Sequence, residues 1–106
     1  MSTFNFIPAE VFALLPGSWE NQTTKDTWYF KPQKNTGYNP MEIIQSHSGI
    51  KMIYRYKTIL EEKIAYLEID DKYFQIMEFS ANNPLTITLK NPAGKPILFH
   101  KLSLHY

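Results

Sequence analysis

Glu78 and His100 are the side chains in this sequence with the clearest potential for chemistry. If both lie inside the fold at a similar height, the carboxylate and the imidazole could transfer protons to and from a small substrate. The same pair could instead hold the polar head of a ligand, because an ionised glutamate in an apolar cavity needs a partner. Acid–base catalysis and ligand anchoring are therefore alternatives, and both depend on which way two strands face. A further alternative is that Glu78 reaches solvent at one end of the fold, or that the strand register slips near Phe79, and then no such pair forms.

Other reactive arrangements are weakly supported by the sequence. His100 and His105 are five positions apart, so on one strand they would face opposite sides. His47 lies near a predicted turn, and there is no cysteine and no His-Glu-x-x-His pair. There is also no Gly-x-Ser-x-Gly elbow. We therefore expect no metal, no cofactor and no hydrolytic catalysis.

Composition narrows the class of protein. The chain of 106 residues is 43% hydrophobic and 20% charged, which predicts a single globular domain over residues 1–106. A formal net charge of +1 gives no electrostatic attraction to nucleic acid. The segment 51–57 does interleave aromatic and basic residues, but on a strand the two kinds lie on opposite faces, which argues against stacking of bases. The residues before Pro8 do not resemble a signal peptide, and no apolar run could span a bilayer, so we expect a cytoplasmic protein without membrane partners.

The elements that must position Glu78 and His100 are mainly β-strands. Pro8 suits the start of a helix over 9–15, and Pro16 and Gly17 end it. Eight strand-length runs follow, at 18–24, 26–31, 41–47, 50–59, 63–70, 73–80, 85–90 and 97–104. Because most connections between them are hairpin turns, the sequence predicts an all-β, eight-stranded antiparallel up-and-down barrel with a short N-terminal helical plug.

Hairpin register predicts which side chains face inward. A turn at 61–62 places Tyr56 opposite Leu67 on the inner face and Arg55 opposite Glu68 on the outer face. The same choice of face, carried around the barrel, gives a largely apolar interior. Its predicted members are Trp19, Asn21, Thr23, Trp28, Phe30, Met41, Ile43, Gln45, Met52, Tyr54, Tyr56, Ala65, Leu67, Ile69, Phe74, Ile76, Glu78, Leu85, Ile87, Leu89, Leu98, His100, Leu102 and Leu104.

The outer face of the third to sixth strands carries a second candidate feature. Its predicted outward side chains form a contiguous apolar patch, which is large for a monomer. They are Ile44, Ile53, Ile59, Ile64, Tyr66, Met77 and Phe79. A homodimer, or another protein partner, could cover this patch.

Gly17-Ser18-Trp19 follows the predicted helix and opens the first strand. This order resembles the Gly-x-Trp signature of lipocalins and their calycin relatives, and it implies that Trp19 packs at the closed end of a barrel. Lipocalins usually place an arginine near the last strand against that tryptophan. Here the final strand has none, and the predicted faces point Lys101 outward. With neither a disulfide nor a C-terminal helix, the chain looks most like the small lipocalin-like proteins of bacteria.

The resemblance implies an open mouth at the opposite end and a ligand inside the barrel. We therefore expect non-enzymatic binding of a small hydrophobic or amphipathic molecule. The candidate ligand-binding residues are Trp28, Gln45, Tyr54, Tyr56, Glu78 and His100. Two alternatives stay open: a packed barrel that acts as a protein interaction module, and a small non-hydrolytic enzyme that uses an interior Glu/His pair.

Overall fold

The computed structural model describes residues 6–34, 37–62, 64–80 and 85–103. One helix, α1 (Pro8–Leu14), precedes eight strands. The strands are β1 (Gly17–Asn21), β2 (Thr27–Phe30), β3 (Asn39–Ile44), β4 (Lys51–Glu61), β5 (Ile64–Ile69), β6 (Lys72–Ser80), β7 (Thr86–Lys90) and β8 (Pro96–Ser103). Each predicted strand overlaps one of these. The predicted loop 81–84, Leu104 and His105 lie outside the described residues.

The eight strands form a closed antiparallel barrel in sequence order, in which β8 pairs with β1. The predicted fold class is therefore confirmed. Since the strands alternate in direction, the turns after β1, β3, β5 and β7 all lie at one end, which we call the mouth. Helix α1 and the loop between β2 and β3 lie at the other, closed end, where the Gln33 amide donates to the Phe12 carbonyl at 2.9 Å.

Helix α1 closes the barrel with one apolar face. Pro8 occupies its first turn, where a missing N–H costs nothing. Val11 and Leu15, four residues apart, are both buried in the core. Gly17 then turns the chain into β1 with a φ of 127°, a conformation that favours glycine.

The barrel interior is filled at its centre by aromatic rings. The Trp28 ring lies 4.7 Å from the Phe99 ring and 6.3 Å from the Phe30 ring, measured between centroids. The Phe30 ring in turn packs edge-on against the Tyr56 ring at 5.0 Å. The rest of the buried core is apolar. Its members are Val11, Leu15, Trp19, Met41, Ala65, Leu67, Ile69, Ile76, Ile87 and Leu89.

The register between β4 and β5 differs from the predicted one by two residues. Glu61 pairs with Ile64, so the turn starts at Glu62 rather than at Glu61. A slip of two positions preserves both faces of a strand, because side chains alternate with a period of two. The predicted inner faces of β4 and β5 are therefore right. The predicted charge pair is wrong, because Lys57, not Arg55, lies opposite Glu68.

A β-bulge in β6 overturns part of the predicted interior. The register shifts between Ile76 and Glu78, so that Glu78 lies opposite Thr88 and Phe79 lies opposite Ile87. The extra residue reverses the faces of the strand beyond it. Phe79 packs against the core and Glu78 is exposed, contrary to prediction. Burial of an apolar ring and solvation of a carboxylate both favour this arrangement.

The predicted faces of β8 are also wrong. Lys90 pairs with Pro96 and Leu89 pairs with Ile97, which turns Ile97 and Phe99 inward. Leu98, His100 and Leu102 consequently lie on the outer face. The cause is the five-residue turn, which Asn91 closes: its side-chain oxygen accepts from the Lys95 N–H at 2.8 Å, and its N–H donates to the Lys95 carbonyl at 2.8 Å. A one-residue change in register reverses every side chain of the strand.

Candidate functional site

Lys101 is the inward-facing cation of β8 and fastens the closed end. Its ammonium donates to the Leu14 carbonyl at 2.5 Å and to the Pro16 carbonyl at 2.6 Å. It also lies 4.9 Å from the centroid of the Trp19 ring, within range of a cation–π interaction. The prediction that Lys101 points outward is therefore wrong, for the reason given for β8. The ammonium joins the last strand to the end of α1 and to Pro16, which precedes the first strand.

The polar groups of Trp19 and Tyr56 also form hydrogen bonds to backbone carbonyls at the closed end. The Trp19 indole N–H donates to the carbonyl of Leu15, the residue that follows α1, at 2.8 Å and thus satisfies one acceptor at the end of the helix. The Tyr56 hydroxyl donates to the Lys31 carbonyl at 2.5 Å. Tyr56 itself is fully buried. Tyr56 was predicted to bind ligand from the interior. Its side chain does face inward, but its hydroxyl holds the start of the β2–β3 loop.

A cavity of about 120 Å³ opens at the mouth. We call it the mouth cavity. Its lining residues are Trp28, Ile43, Tyr54, Ile69, Asp70, Lys72 and Phe74. The floor is aromatic, since the Phe74 ring meets the Trp28 ring edge-on at 5.7 Å and 87°. At ~30 Å³ per water molecule, the space would hold about four waters, so only a small group could enter.

A larger cavity of about 450 Å³ lies beside the mouth cavity. We call it the outer cavity. It exists because β4 is longer than its neighbour: residues 51–55 pair with β3, whereas pairing with β5 begins at Tyr56. The turn from β5 to β6 therefore ends short of the start of β4 and leaves a recess. Its lining residues are Tyr38, Ile53, Tyr54, Arg55, Asp70 and Asp71.

The β5–β6 turn brings its two carboxylates to this recess. Asp70 and Asp71 have φ values of 52° and 63°, as a two-residue hairpin turn of the primed type requires. Aspartate is among the residues that tolerate this conformation. The local backbone thus explains both acidic residues at the turn. Asp70 lines both cavities, and Asp71 lines the outer cavity.

Tyr38 closes one side of the outer cavity through charged contacts. Its hydroxyl donates to the carboxylate of Glu68, and this hydrogen bond raises the pKa of Tyr38 above its ordinary value. The cationic groups of Arg55 and Lys57 each lie 5.7 Å from the centre of the Tyr38 ring. Arg55 is therefore held beside the cavity by a ring contact.

Two of the six predicted ligand-binding residues, Trp28 and Tyr54, line the mouth cavity. Gln45 follows β3 at the mouth, but its side-chain oxygen accepts from the Ser48 hydroxyl at 2.9 Å within the β3–β4 turn. Tyr56 lies deeper, in the packed interior. Asn21, also predicted to be inside, is buried and caps the β1–β2 turn by accepting from the N–H groups of 23 and 24. Thr23 is exposed in that turn.

Glu78 and His100 do not form the predicted interior pair. Glu78 lies opposite Thr88, and His100 lies opposite Thr86, both on the outer face of the barrel. The bulge in β6 and the turn before β8 are the physical reasons. The interior acid–base pair on which the enzyme alternative depended is therefore not formed.

Several lining residues were not predicted as site residues. Ile43, Ile69 and Phe74 were placed inside by the strand pattern but were assigned only to the core. The charged residues Arg55, Asp70 and Asp71 were assigned to an outer face or to a turn. These charged side chains converge because β4 is longer than β5. The position of the 61–64 hairpin is the sequence feature that could have indicated this difference in length.

Within residues 6–34, 37–62, 64–80 and 85–103, no three His, Asp or Glu side chains gather where they could ligate a metal ion. The same part of the chain includes no helix long and apolar enough to cross a membrane.

No protein-family model matches the sequence, and neither the curated proteins nor the solved structures include a significant match to it.

Proposed function

We propose that this protein binds a small, partly apolar molecule at the mouth of its barrel. The observation that carries the proposal is the mouth cavity, an aromatic and aliphatic recess of about 120 Å³ with polar groups at its rim. Apolar walls with a few polar groups are the usual composition of a ligand site. The volume is well below the roughly 300–1,000 Å³ of sites for drug-sized ligands, so we infer a ligand with a short apolar part.

The packed centre of the barrel limits how deep the ligand can enter. Rings of Trp28, Phe30 and Phe99 fill the space directly below the mouth cavity. A long acyl chain would have to displace them, which would cost several kcal/mol of packing for each ring by the scale of about 3–5 kcal/mol per deleted aromatic side chain. The ligand is therefore compact rather than a long-chain lipid.

The resemblance to lipocalin-like proteins supports this proposal. Three features agree with it: Gly17-Ser18-Trp19 at the start of β1, the helical plug, and a cation packed on the Trp19 ring. Lys101 takes the place that an arginine usually has in lipocalins. Similarity of fold is analogy and not an assignment of ligand. A bacterial type of lipocalin-like protein and a cytoplasmic location stay predictions from the sequence.

A titration followed by nuclear magnetic resonance tests the proposal. The probe is 3-methylbutan-1-ol, whose branched tail matches the cavity. The Trp28 and Trp19 indole N–H signals report on the two ends of the barrel within one sample. We expect a saturable shift of the Trp28 signal at millimolar probe and an unchanged Trp19 signal.

A cavity-filling variant makes this test specific. Ile43→Phe adds a ring to the wall of the mouth cavity and should abolish the Trp28 shift. Ile64→Phe makes the same change on the outer face near the closed end and should leave the shift intact. No saturable shift in the wild type, or equal binding by both variants, would show that the mouth cavity is not a ligand site.

A second candidate function is self-association through the outer face of β4–β6. Ile64, Tyr73 and Met77 are 38%, 56% and 42% exposed there, and the Tyr73 ring lies 5.9 Å from the Tyr66 ring. Exposed apolar groups in such a cluster favour a partner surface. Of the predicted patch, Phe79 does not belong, because it faces inward.

Sedimentation velocity tests the homodimer. Self-association through this face predicts a dimer at high concentration and a monomer for Met77→Glu. Leu98→Glu, an equally exposed change on β8, is the matched control and should leave the dimer intact. A wild-type monomer at all concentrations would exclude this candidate.

A further inference from the structure

The mouth cavity and the outer cavity adjoin each other. Tyr54 and Asp70 line both, so the two recesses meet at these side chains. The mouth cavity has mainly apolar walls with Asp70 and Lys72 at its rim, and the outer cavity has charged walls. A ligand that extends across Tyr54 would therefore need a short apolar end and a polar end.

The charges around the combined recess are balanced in sign. Arg55 and Lys72 contribute two positive charges, and Asp70 and Asp71 contribute two negative charges. Among the described residues, the ion pairs are those of Glu42 with Lys31 and Lys51, at 3.5 and 3.6 Å. The four charges at the recess thus face a shared space without forming ion pairs with one another. This arrangement suits a polar group that carries both signs of charge.

Tyr54 adds a polar group whose bonding capacity is little used. Its hydroxyl contacts the Met52 sulfur at 3.5 Å. A thioether is a weak acceptor, so this contact uses little of the donor strength of a phenol. At the junction of the two cavities, the hydroxyl can donate to a ligand oxygen.

We propose that the ligand is a small zwitterion with a short branched apolar tail, of which a free aliphatic α-amino acid is the simplest example. This inference rests on the proposed function. The tail occupies the mouth cavity against Trp28 and Phe74, where about 120 Å³ matches a group of about four heavy atoms. The carboxylate lies toward Arg55 and the Tyr54 hydroxyl, and the ammonium lies toward Asp70 and Asp71.

Ligands with one sign of charge fit the recess less well. A simple carboxylate would gain Arg55 but would lie near two aspartates, and a simple amine would gain the aspartates but would lie near Arg55. Like charges that share one recess oppose binding. Because the rim is partly exposed, each favourable charge contact contributes only about two- to fivefold in affinity.

The test compares four ligands that share the same isobutyl tail, by the Trp28 indole shift. They are L-leucine, 3-methylbutylamine without the carboxylate, 4-methylpentanoate without the ammonium, and 3-methylbutan-1-ol with neither charge. We expect leucine to bind about tenfold more tightly than the alcohol, with the two singly charged analogues in between. The advantage of leucine over the alcohol in affinity should decrease at high salt, as for any partly exposed charge contact.

Two variants and their matched controls locate the charges. Arg55→Gln should weaken leucine about threefold and leave the alcohol unchanged, whereas Lys90→Gln should change neither. Asp71→Asn keeps the turn, because asparagine tolerates a positive φ, and should also weaken leucine about threefold. Glu61→Gln, a matched removal of a carboxylate near the closed end, should have no effect.

The outcomes separate this inference from the proposed function. If the alcohol shifts the Trp28 signal and leucine binds no more tightly, the zwitterion is wrong and binding at the mouth stands. If Arg55→Gln and Asp71→Asn weaken leucine no more than their controls do, the assigned charge contacts are wrong. If neither leucine nor the alcohol shifts the Trp28 signal, both proposals are overturned.

Discussion

Tyr54 and Tyr56 lie two residues apart on the inner side of β4, yet their hydroxyl groups have different partners. Tyr56 donates to a backbone carbonyl at 2.5 Å and is fully buried. Tyr54 contacts a sulfur atom at 3.5 Å and lines both cavities. Two positions along one strand thus separate a structural hydroxyl from one that a ligand could use.

The two ends of the barrel differ in the same way. At the closed end, the polar groups of Trp19, Tyr56 and Lys101 all bond to backbone carbonyls. At the mouth, Arg55, Asp70 and Asp71 line a recess without forming ion pairs with one another. Buried polar groups that are bonded contribute to stability, whereas groups that keep their bonding capacity can recognise a ligand. We therefore expect substitutions at the closed end to change stability and those at the mouth to change binding.

Truncation of Trp19 should have the largest effect on stability. Trp19→Ala removes a fully buried ring, its hydrogen bond to Leu15 and the surface on which Lys101 packs. The free energy of unfolding should fall by about 3–5 kcal/mol, as measured by urea denaturation. Ile53→Ala at the mouth, where the side chain is 64% exposed, should cost less than about 0.5 kcal/mol. Equal costs for the two variants would contradict the contrast between the ends.

Removal of the Lys101 ammonium should have the next largest effect. Lys101→Met keeps a long side chain but leaves the carbonyls of Leu14 and Pro16 without their donor. The expected loss is about 1–3 kcal/mol at pH 7, by denaturation. Lys95→Met, in the exposed β7–β8 turn, is the control and should be nearly neutral. A neutral Lys101→Met would mean that the ammonium does not fasten the plug.

The two tyrosines supply the closest matched pair. Tyr56→Phe should cost about 1 kcal/mol, because the Lys31 carbonyl loses its hydroxyl donor. Tyr54→Phe should cost less than about 0.5 kcal/mol, because its present partner is a weak acceptor. Both values come from the same denaturation series. A larger loss for Tyr54→Phe would reverse the roles assigned to these hydroxyls.

Deprotonation of Lys101 should have a smaller effect, visible in how the free energy of unfolding depends on pH. Desolvation lowers the pKa of Lys101 from 10.5 to about 8 in the folded protein. Between these two values the unfolded chain binds the proton more tightly, so stability rises with pH through this window. A neutral amine still has N–H donors for both carbonyls, so the bonds survive.

The measurement is the difference in unfolding free energy between wild type and Lys101→Met at pH 7, 8, 9 and 10. We expect the wild type to gain relative to the variant above pH 8. The gain should be less than about 1 kcal/mol, since the ammonium is partly exposed and solvent screens its charge. A difference that falls as the pH rises would mean that the folded state favours the charged form.

Most of the fold follows from local patterns in the sequence. The Pro16-Gly17 stop, the turn residues and the alternation of apolar residues locate the plug and all eight strands. The inner faces of β4 and β5 are correct even though their register is two residues off, because a two-residue slip leaves the faces unchanged.

The candidate site was only partly predictable. Trp28 and Tyr54 follow from the strand pattern, but Glu78 and His100 do not lie where the pattern puts them. The bulge after Ile76 exchanges the faces of Glu78 and Phe79 by one extra residue, and strand alternation alone gives such a slip only as an alternative. The face of His100 depends on how Asn91 closes its turn, and the outer cavity depends on the relative lengths of two strands.

The most direct test of binding at the mouth is the position of a bound probe, measured by nuclear Overhauser contacts between the methyl protons of 3-methylbutan-1-ol and the protein's aromatic protons. We expect contacts to the rings of Trp28 and Phe74, which line the mouth cavity. We expect none to Trp19 at the closed end. Contacts to Trp19, or a bound probe without contacts to Trp28, would contradict the assignment of binding to the mouth and of structure to the closed end.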